Sequence, residues 1–220
     1  MPEKETLSRA RKDKRQGKSA STQAGEFVRE EFHHIREGKH GARSTKQAIA
    51  IGLSKARQIH NPDTIAGYEP LGEEIFEQTG GRVDAFVHSV GTGASSRGTI
   101  TALRRRKPGV RFFAVEPGES AVLSGGAPGP HKIEGVGIGY VPPLWDPALA
   151  DGVEAVPTGE AKEMTRRLAR EEALFAGTSS GANVVAALRV AQRLGAGKAV
   201  VTLLCDSGLK YLNTDVYRRG

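Results

Sequence analysis

The hydrophobic positions of this chain change rhythm at Asn61-Pro62. Before that point apolar residues are sparse. Residues 1–24 hold only Met1 and Leu7 as large apolar side chains, too few to offset the entropy of ordering, and disorder is expected there. From Gly25 to His40, Phe27, Val28, Phe32 and Ile35 recur at near-helical spacing within a charged stretch. Ser44 offers an N-cap to KQAIAIGLSKAR, where Ile49, Leu53 and Ala56 share a face, so a second helix is expected.

After Asn61 the pattern alternates between helix and strand signals. TIAGYEPLGEEIFEQTGG reads as a helix closed by Gly80-Gly81, and DAFVHSV as a strand. A helix follows from about Arg97 to Arg106, stopped by Lys107-Pro108-Gly109, and then the strand VRFFAVEP. A Gly/Pro-rich loop runs from Pro117 to Pro143. Beyond it come a short strand near Val153–Val156 and a helix from Thr158 to Glu172 with Ala161, Met164 and Leu168 inward. A short LFA strand, a helix from Ala182 to Leu194 and the strand KAVVTLLC complete the series. Such alternation predicts βαβ units and an α/β fold, a parallel sheet with both faces covered.

Charge sharpens the division. The 220 residues carry a formal charge of +7, which alone would suggest a polyanionic partner. Residues 1–60 contain 14 Lys+Arg and 7 Asp+Glu, whereas residues 61–220 contain 18 of each. The excess is therefore local, and the organisation expected is a basic helical or disordered segment over 1–60 and an α/β domain over 61–220. The single Cys205 excludes a disulfide scaffold and a Cys-rich zinc module, and no metal site is expected. No run of about 18 apolar residues occurs, so a membrane span is not expected, and the chain reads as cytoplasmic.

Three glycine-rich segments could carry chemistry. Val90-Gly91-Thr92-Gly93-Ala94-Ser95-Ser96 lies between a strand and a helix, where backbone amides and the hydroxyls of Thr92 and Ser95 can converge on one phosphate. A plain turn explains the same residues, and so does a dinucleotide site with Glu116 as its ribose acid, although Ser96 replaces the third glycine of that motif. Gly177-Thr178-Ser179-Ser180-Gly181 fits a nucleophile elbow, but none of the six histidines (33, 34, 40, 60, 88, 131) follows Ser179. A hydroxyl-lined start that caps the next helix is the better account. In Cys205-Asp206-Ser207-Gly208, the thiol reads as a buried strand-end group. Ser207 sits where parallel sheets present ligand groups, and a simple turn serine is the rival reading.

Taken together, residues 61–214 resemble the C-terminal part of the cysteine synthase and cystathionine β-synthase family of pyridoxal-phosphate (PLP) enzymes. The resemblance rests on QTGGRVDAFV, GTGAS for the family's GTGGT, AVEPGESAVLSGGAPGPHKIEGVGIGYVP, TRRLAREEALFAGTSSGA, and CDSGLKYLNT for PDSGERYLST, all in family order. It implies a partial fold type II architecture, three-layered and like the tryptophan synthase β subunit. It implies that Gly91, Thr92, Gly93, Ala94 and Ser95 hold the cofactor phosphate, that Ser207 meets the pyridine nitrogen, and that Gly135, Gly137 and Gly139 border the cofactor. A neutral serine at the ring nitrogen suits β-elimination and β-replacement on a small amino-acid substrate. His88 and His131 are read as structural. The stretch KHGARSTKQAIAIGLSKAR resembles a short basic bacterial domain of unknown function, covering most of 1–58.

The chain departs from the family upstream. Family members carry the Schiff-base lysine in a Ser-x-Lys-Asp-Arg setting, and a substrate-carboxylate loop, well before GTGGT. Lysines 107, 132, 162, 198 and 210 lack that context, and Lys46, in Ser44-Thr45-Lys46, lies only 45 residues before Gly91. No catalytic residue is assigned. The expectation is a truncated cysteine-synthase-like (O-acetylserine sulfhydrylase) protein without independent activity, with a homodimeric or complementing partner chain. Two rival classes are a basic nucleic-acid-associated protein acting through residues 1–60, and a dinucleotide-binding module.

Overall fold

The computed structural model describes residues 4–18, 25–30, 33 and 63–217. The chain divides into two compact units, Met1–Thr64 and Ile65–Gly220. In the first, helix α1 spans Lys4–Arg15 and residues 25–30 are also helical. The disorder expected over 1–24 is thus replaced by a helix in its described part. Small and polar groups do the work of the missing large apolar ones: Thr6, Ala10 and Asp13 are buried on one face, and Phe27 is wholly enclosed. Arg9 binds Glu5 one turn away at 2.6 Å and reaches Glu26 at 2.7 Å, tying α1 to the 25–30 helix. The helix expected from Ser44 lies outside the described residues.

Further along, a one-turn helix, Asp63–Ala66, precedes α2, Glu69–Gln78. The single helix expected here is divided, and Pro70 sits in the first turn of α2, where a missing N–H costs nothing. Gly80 and Gly81 close α2 with positive φ, and the Gly81 amide reaches back to the Phe76 carbonyl at 2.8 Å. Then follow β1 (Ala85–Ser89), α3 (Ala94–Arg106), β2 (Arg111–Pro117), β3 (Gly152–Val156), α4 (Thr158–Glu171), α5 (Thr178–Leu194) and β4 (Val200–Thr202).

Among the described residues, four strands are parallel in the order β3-β2-β1-β4, with Ala85 opposite Arg111 on one side and Val200 on the other. Side chains alternate across the sheet. Ala85, Val87, Phe113 and Val115 pack with Ala161 of α4 and Ala182, Val185 and Val190 of α5. Phe86, Phe112 and Ala114 pack with Ile75 of α2 and Ile100 and Leu103 of α3. Burying each such Phe or Leu contributes about 1.5–3 kcal/mol, and the two cores make three layers with β1 and β2 in the middle.

Four further features differ from the expected ones. Helices α3 and α5 begin at Ala94 and Thr178, several residues early, because Gly93 and Gly177 turn the chain and the serines that follow are drawn into the first turns. The LFA segment forms no strand. Ala173 has φ +56°, the Leu174 amide folds back to the Leu168 carbonyl, and Ala176 makes only an isolated antiparallel bridge to Ser207. Strand β4 ends at Thr202 because the next carbonyl, that of Leu203, accepts from the Asn183 side chain at 2.9 Å instead of a neighbouring strand.

Candidate active site

The candidate site gathers at the carboxyl ends of β1 and β4 and at the first turns of α3 and α5. Between β1 and α3 the chain runs through Val90, Gly91, Thr92 and Gly93. Gly93 caps α3 with φ +89°, and a Cβ there would come within 2.9 Å of the Trp145 amide nitrogen. A Cβ on Gly91 would lie 2.6 Å from the Gly135 carbonyl oxygen. Both glycines are therefore demanded by neighbouring loops that close on this turn. The Gly137 amide donates to the Val90 carbonyl at 3.4 Å, which brings the 135–139 glycine run against the 91–95 loop.

Functional groups on this turn are donors or neutral acceptors. The Thr92 hydroxyl accepts from the Ala94 amide at 3.3 Å. Ser95, partly exposed in the first turn of α3, lies 3.0 Å from Nε2 of His88. Ala94 is buried, so its methyl is covered by protein rather than presented at the loop. A 13-residue helix points its first-turn amides and the positive end of its dipole at this edge, and no carboxylate belongs to residues 90–96. The buried Ser89 and Ser96 hydroxyls have no hydrogen-bond partner. This donor-rich arrangement fits a phosphate.

On the β4 side the hydroxyls of α5 do not cap their own helix. Gly177 is the N-cap, without a side-chain bond, and the hydroxyls are used across the loop cluster. Thr178 accepts from the Glu134 amide at 3.2 Å and Ser180 from the Cys205 amide at 2.9 Å. Ser207 is exposed and opens a short 3-10 turn, Gly208–Tyr211, its oxygen accepting from the Leu209 amide at 3.3 Å. That bond uses a lone pair and leaves the hydroxyl proton to donate elsewhere. Asp206 accepts from the Tyr211 hydroxyl at 2.8 Å, and burial, then this bond, push the tyrosine's pKa upward.

Cys205 is exposed rather than buried. It lies three residues past the end of β4, on a loop. Its sulfur nonetheless lies against protein, and this desolvation raises the thiol pKa, leaving a protonated, weakly nucleophilic group. Donors around the sulfur, Ser179 and Asn183 among them, oppose that rise without cancelling it.

Asn183 escaped the sequence reading. It is fully buried in α5; Oδ1 accepts from the Ser89 amide at 2.8 Å and Nδ2 donates to the Leu203 carbonyl, so one side chain joins the ends of β1 and β4. The same Nδ2 lies 3.5 Å from Nδ1 of His88. Burial lowers the His88 pKa to about 4, so the ring is neutral at neutral pH. His88 was expected to be structural, and here it also touches the phosphate-loop candidate Ser95. His131 is held within its loop, Nδ1 accepting from the Ile133 amide and Nε2 donating to the Gly137 carbonyl at 2.8 Å. Glu116, the acid of the dinucleotide reading, is buried and spent on the Leu123 and Ser124 amides and the Ser124 hydroxyl.

Each of the five lysines after residue 60 carries a carboxylate partner. Lys107 and Lys198 pair with Asp84, Lys132 and Lys162 with Asp215, and Lys210 with Glu134 and Asp206. Lys46 lies outside the described residues. Among the described residues no cluster could hold a metal ion, and no helix is long and apolar enough to cross a membrane.

A family described as "Pyridoxal-phosphate dependent enzyme" matches residues 1–206, a span that includes the basic segment. The chain is 41% identical over 168 residues to a cysteine synthase of Staphylococcus aureus, covering 76% of this chain and 54% of that protein. It is 38% identical over 185 residues to a cysteine synthase of Helicobacter pylori, covering 82% and 60%. The structure is similar to the crystal structure of a cysteine synthase from Entamoeba histolytica, with a TM-score of 0.73 and 33% identity over 79% of this chain and 56% of that one. It is likewise similar to an O-acetylserine dependent cystathionine β-synthase from H. pylori, with a TM-score of 0.72 and 37% identity over 79% and 61%. The chain thus spans about half the length of the relatives it matches.

Proposed function

The chain belongs to the pyridoxal-phosphate dependent enzyme family, and we propose that its described residues form the phosphate and ring-nitrogen side of a cysteine-synthase-like cofactor site. The observation that carries this reading is the donor-rich turn at the start of α3, where residues 90–96 bring backbone amides and the Thr92 and Ser95 hydroxyls to the positive end of a helix without a carboxylate among them. Gly91, Thr92, Gly93, Ala94 and Ser95 bind the phosphate. Ser207 donates its hydroxyl proton to the pyridine nitrogen, and because serine is neutral it leaves the ring uncharged. When bound, pyridoxal phosphate supplies a conjugated ring that accepts negative charge from the carbon beside an amino group.

The substrate class is a small amino acid with a leaving group on its β-carbon, such as O-acetylserine, and the reaction is β-replacement. The 135–139 glycine run and the 144–145 loop close on the 91–95 turn, in which Gly93 and Ala94 are buried. Independent turnover is not expected from the described residues, since each of their lysines beyond residue 60 is engaged by a carboxylate.

The reading is tested by titrating the purified protein with pyridoxal phosphate, recording absorbance before and after borohydride, and mapping any labelled peptide. Saturable binding that is lost in Gly93→Ala and weakened in Ser95→Ala is the expected result. A spectrum identical to free cofactor at all concentrations would refute it. A reduced label on Lys46, with cysteine formed from O-acetylserine and sulfide, would extend the reading to an active enzyme.

A further inference from the structure

We propose that His88 is a positioning residue that turns Ser95 into a hydrogen-bond donor toward the cofactor phosphate; this rests on the phosphate-site reading above and deepens it. Asn183 fixes the direction of the chain of hydrogen bonds. The Ser89 amide can only donate, so Oδ1 of Asn183 must face it, and Nδ2 is thereby directed to the other side. One of the two Nδ2 hydrogens is taken by the Leu203 carbonyl at 2.9 Å, and the second faces Nδ1 of His88 at 3.5 Å with the Cys205 sulfur at 3.4 Å. A ring nitrogen that meets an N–H is an acceptor. In a neutral imidazole the proton then resides on Nε2.

Nε2 lies 3.0 Å from the Ser95 oxygen and donates to it. With that lone pair occupied, the Ser95 proton points away from His88 toward the open edge of the loop, where an anion needs a donor. The opposite tautomer would reverse the outcome: Nε2 would accept the Ser95 proton, and the serine would offer only lone pairs to a phosphate. The arrangement is held rigidly, since Asn183 is wholly buried, His88 is 6% exposed, and the Phe86 ring flanks the imidazole at 5.6 Å between centroids. Two buried side chains from opposite faces of the sheet thus set the direction of one hydroxyl proton.

The test uses the whole chain and a probe without an aldehyde, so that lysine chemistry plays no part. Binding of pyridoxine 5′-phosphate and of pyridoxine is measured by calorimetry for the native protein, His88→Phe and His88→Gln, and the imidazole tautomer of the native protein is read from its ¹⁵N shifts. The expected results are a proton on Nε2, and a loss of about tenfold in affinity for the phosphorylated probe alone in His88→Phe, the size of one hydrogen bond to a charged group. His88→Gln, whose amide can still donate to Ser95, restores most of it. A proton on Nδ1, or native affinity in a folded His88→Phe, overturns the inference and leaves the phosphate site standing. No preference of the native protein for the phosphorylated probe overturns both.

Discussion

The two ends of the sheet solve the same problem, satisfying polar groups where strands stop, with different chemistry. At the amino end Asp84 accepts from the Ala199 amide at 2.9 Å and pairs with Lys107 and Lys198 at 3.5 and 3.7 Å. The Ala199 amide, and then the two lysines, hold its carboxyl below the usual range. At the carboxyl end the groups around the 91–95 turn are neutral: Asn183, His88, Ser89, Ser95 and Ser180 exchange hydrogen bonds with one another or with backbone, the Ser89 and Ser96 hydroxyls are left over, and the carboxylates of this end, Glu116 and Asp206, are taken up by Ser124 and by Tyr211. Full charges close the first end against further partners. Neutral donors at the second keep capacity for an incoming anion, which a fixed carboxylate would repel and a fixed lysine pair would already have neutralised.

This contrast sets the scale of perturbations. The largest effect is expected from Asn183→Ala, which strands the Ser89 amide and the Leu203 carbonyl in the interior and should cost about 3–4 kcal/mol in urea unfolding. The acid response of His88 comes next. Its native pKa of about 4 lies below the unfolded value, so the neutral ring's contribution is complete above about pH 6.5 and is lost as pH falls toward 4, by up to about 3 kcal/mol. Urea midpoints between pH 7 and 4 should show that slope in the native protein and a flatter one in His88→Phe; equal slopes would mean another group titrates. Gly93→Ala should cost about 2 kcal/mol, because the left-handed φ and the Trp145 amide both oppose a methyl there, and it should disturb cofactor binding more than stability. The smallest change is expected at the charged end: Asp84→Asn keeps an acceptor for Ala199 and loses two solvent-screened pairs, about 1 kcal/mol or less, shrinking further in salt. A larger loss in Asp84→Asn than in Asn183→Ala would invert the contrast.

The central layers were legible because their periods are strong. β1 and β2 are runs of β-branched and aromatic residues that become wholly or nearly wholly buried, and α4 shows its inward face in Ala161, Met164 and Leu168. The glycine loop announced itself through composition. Asn183 did not, since it is one polar residue in an apolar helix and its partners Ser89 and Leu203 lie 94 and 20 residues away. The early starts of α3 and α5 were hidden by the low helix propensity of glycine, serine and threonine, which position and packing override. Helix α1 was missed because ion pairing by Arg9 and burial of Thr6 and Ala10 leave no trace in a hydrophobic pattern. Ser207 opens a 3-10 turn beyond β4, and its bond from the Leu209 amide fits a turn serine as well as a ligand group.

Strand order has a consequence for how the chain is made. β1 leaves the ribosome before any other strand of this sheet, yet one of its two neighbours is β4, the last. The bonds joining them, from Ala199 to Asp84 and from Thr202 to Val87, each span 115 residues. Until β4 emerges, β1 waits with one edge bare, and Asn183, made earlier in α5, lacks the Leu203 carbonyl that takes one of its Nδ2 hydrogens. The polar network therefore assembles late, through contacts that are slow to find. A nascent chain stalled before residue 200 would hold the glycine turn without β4.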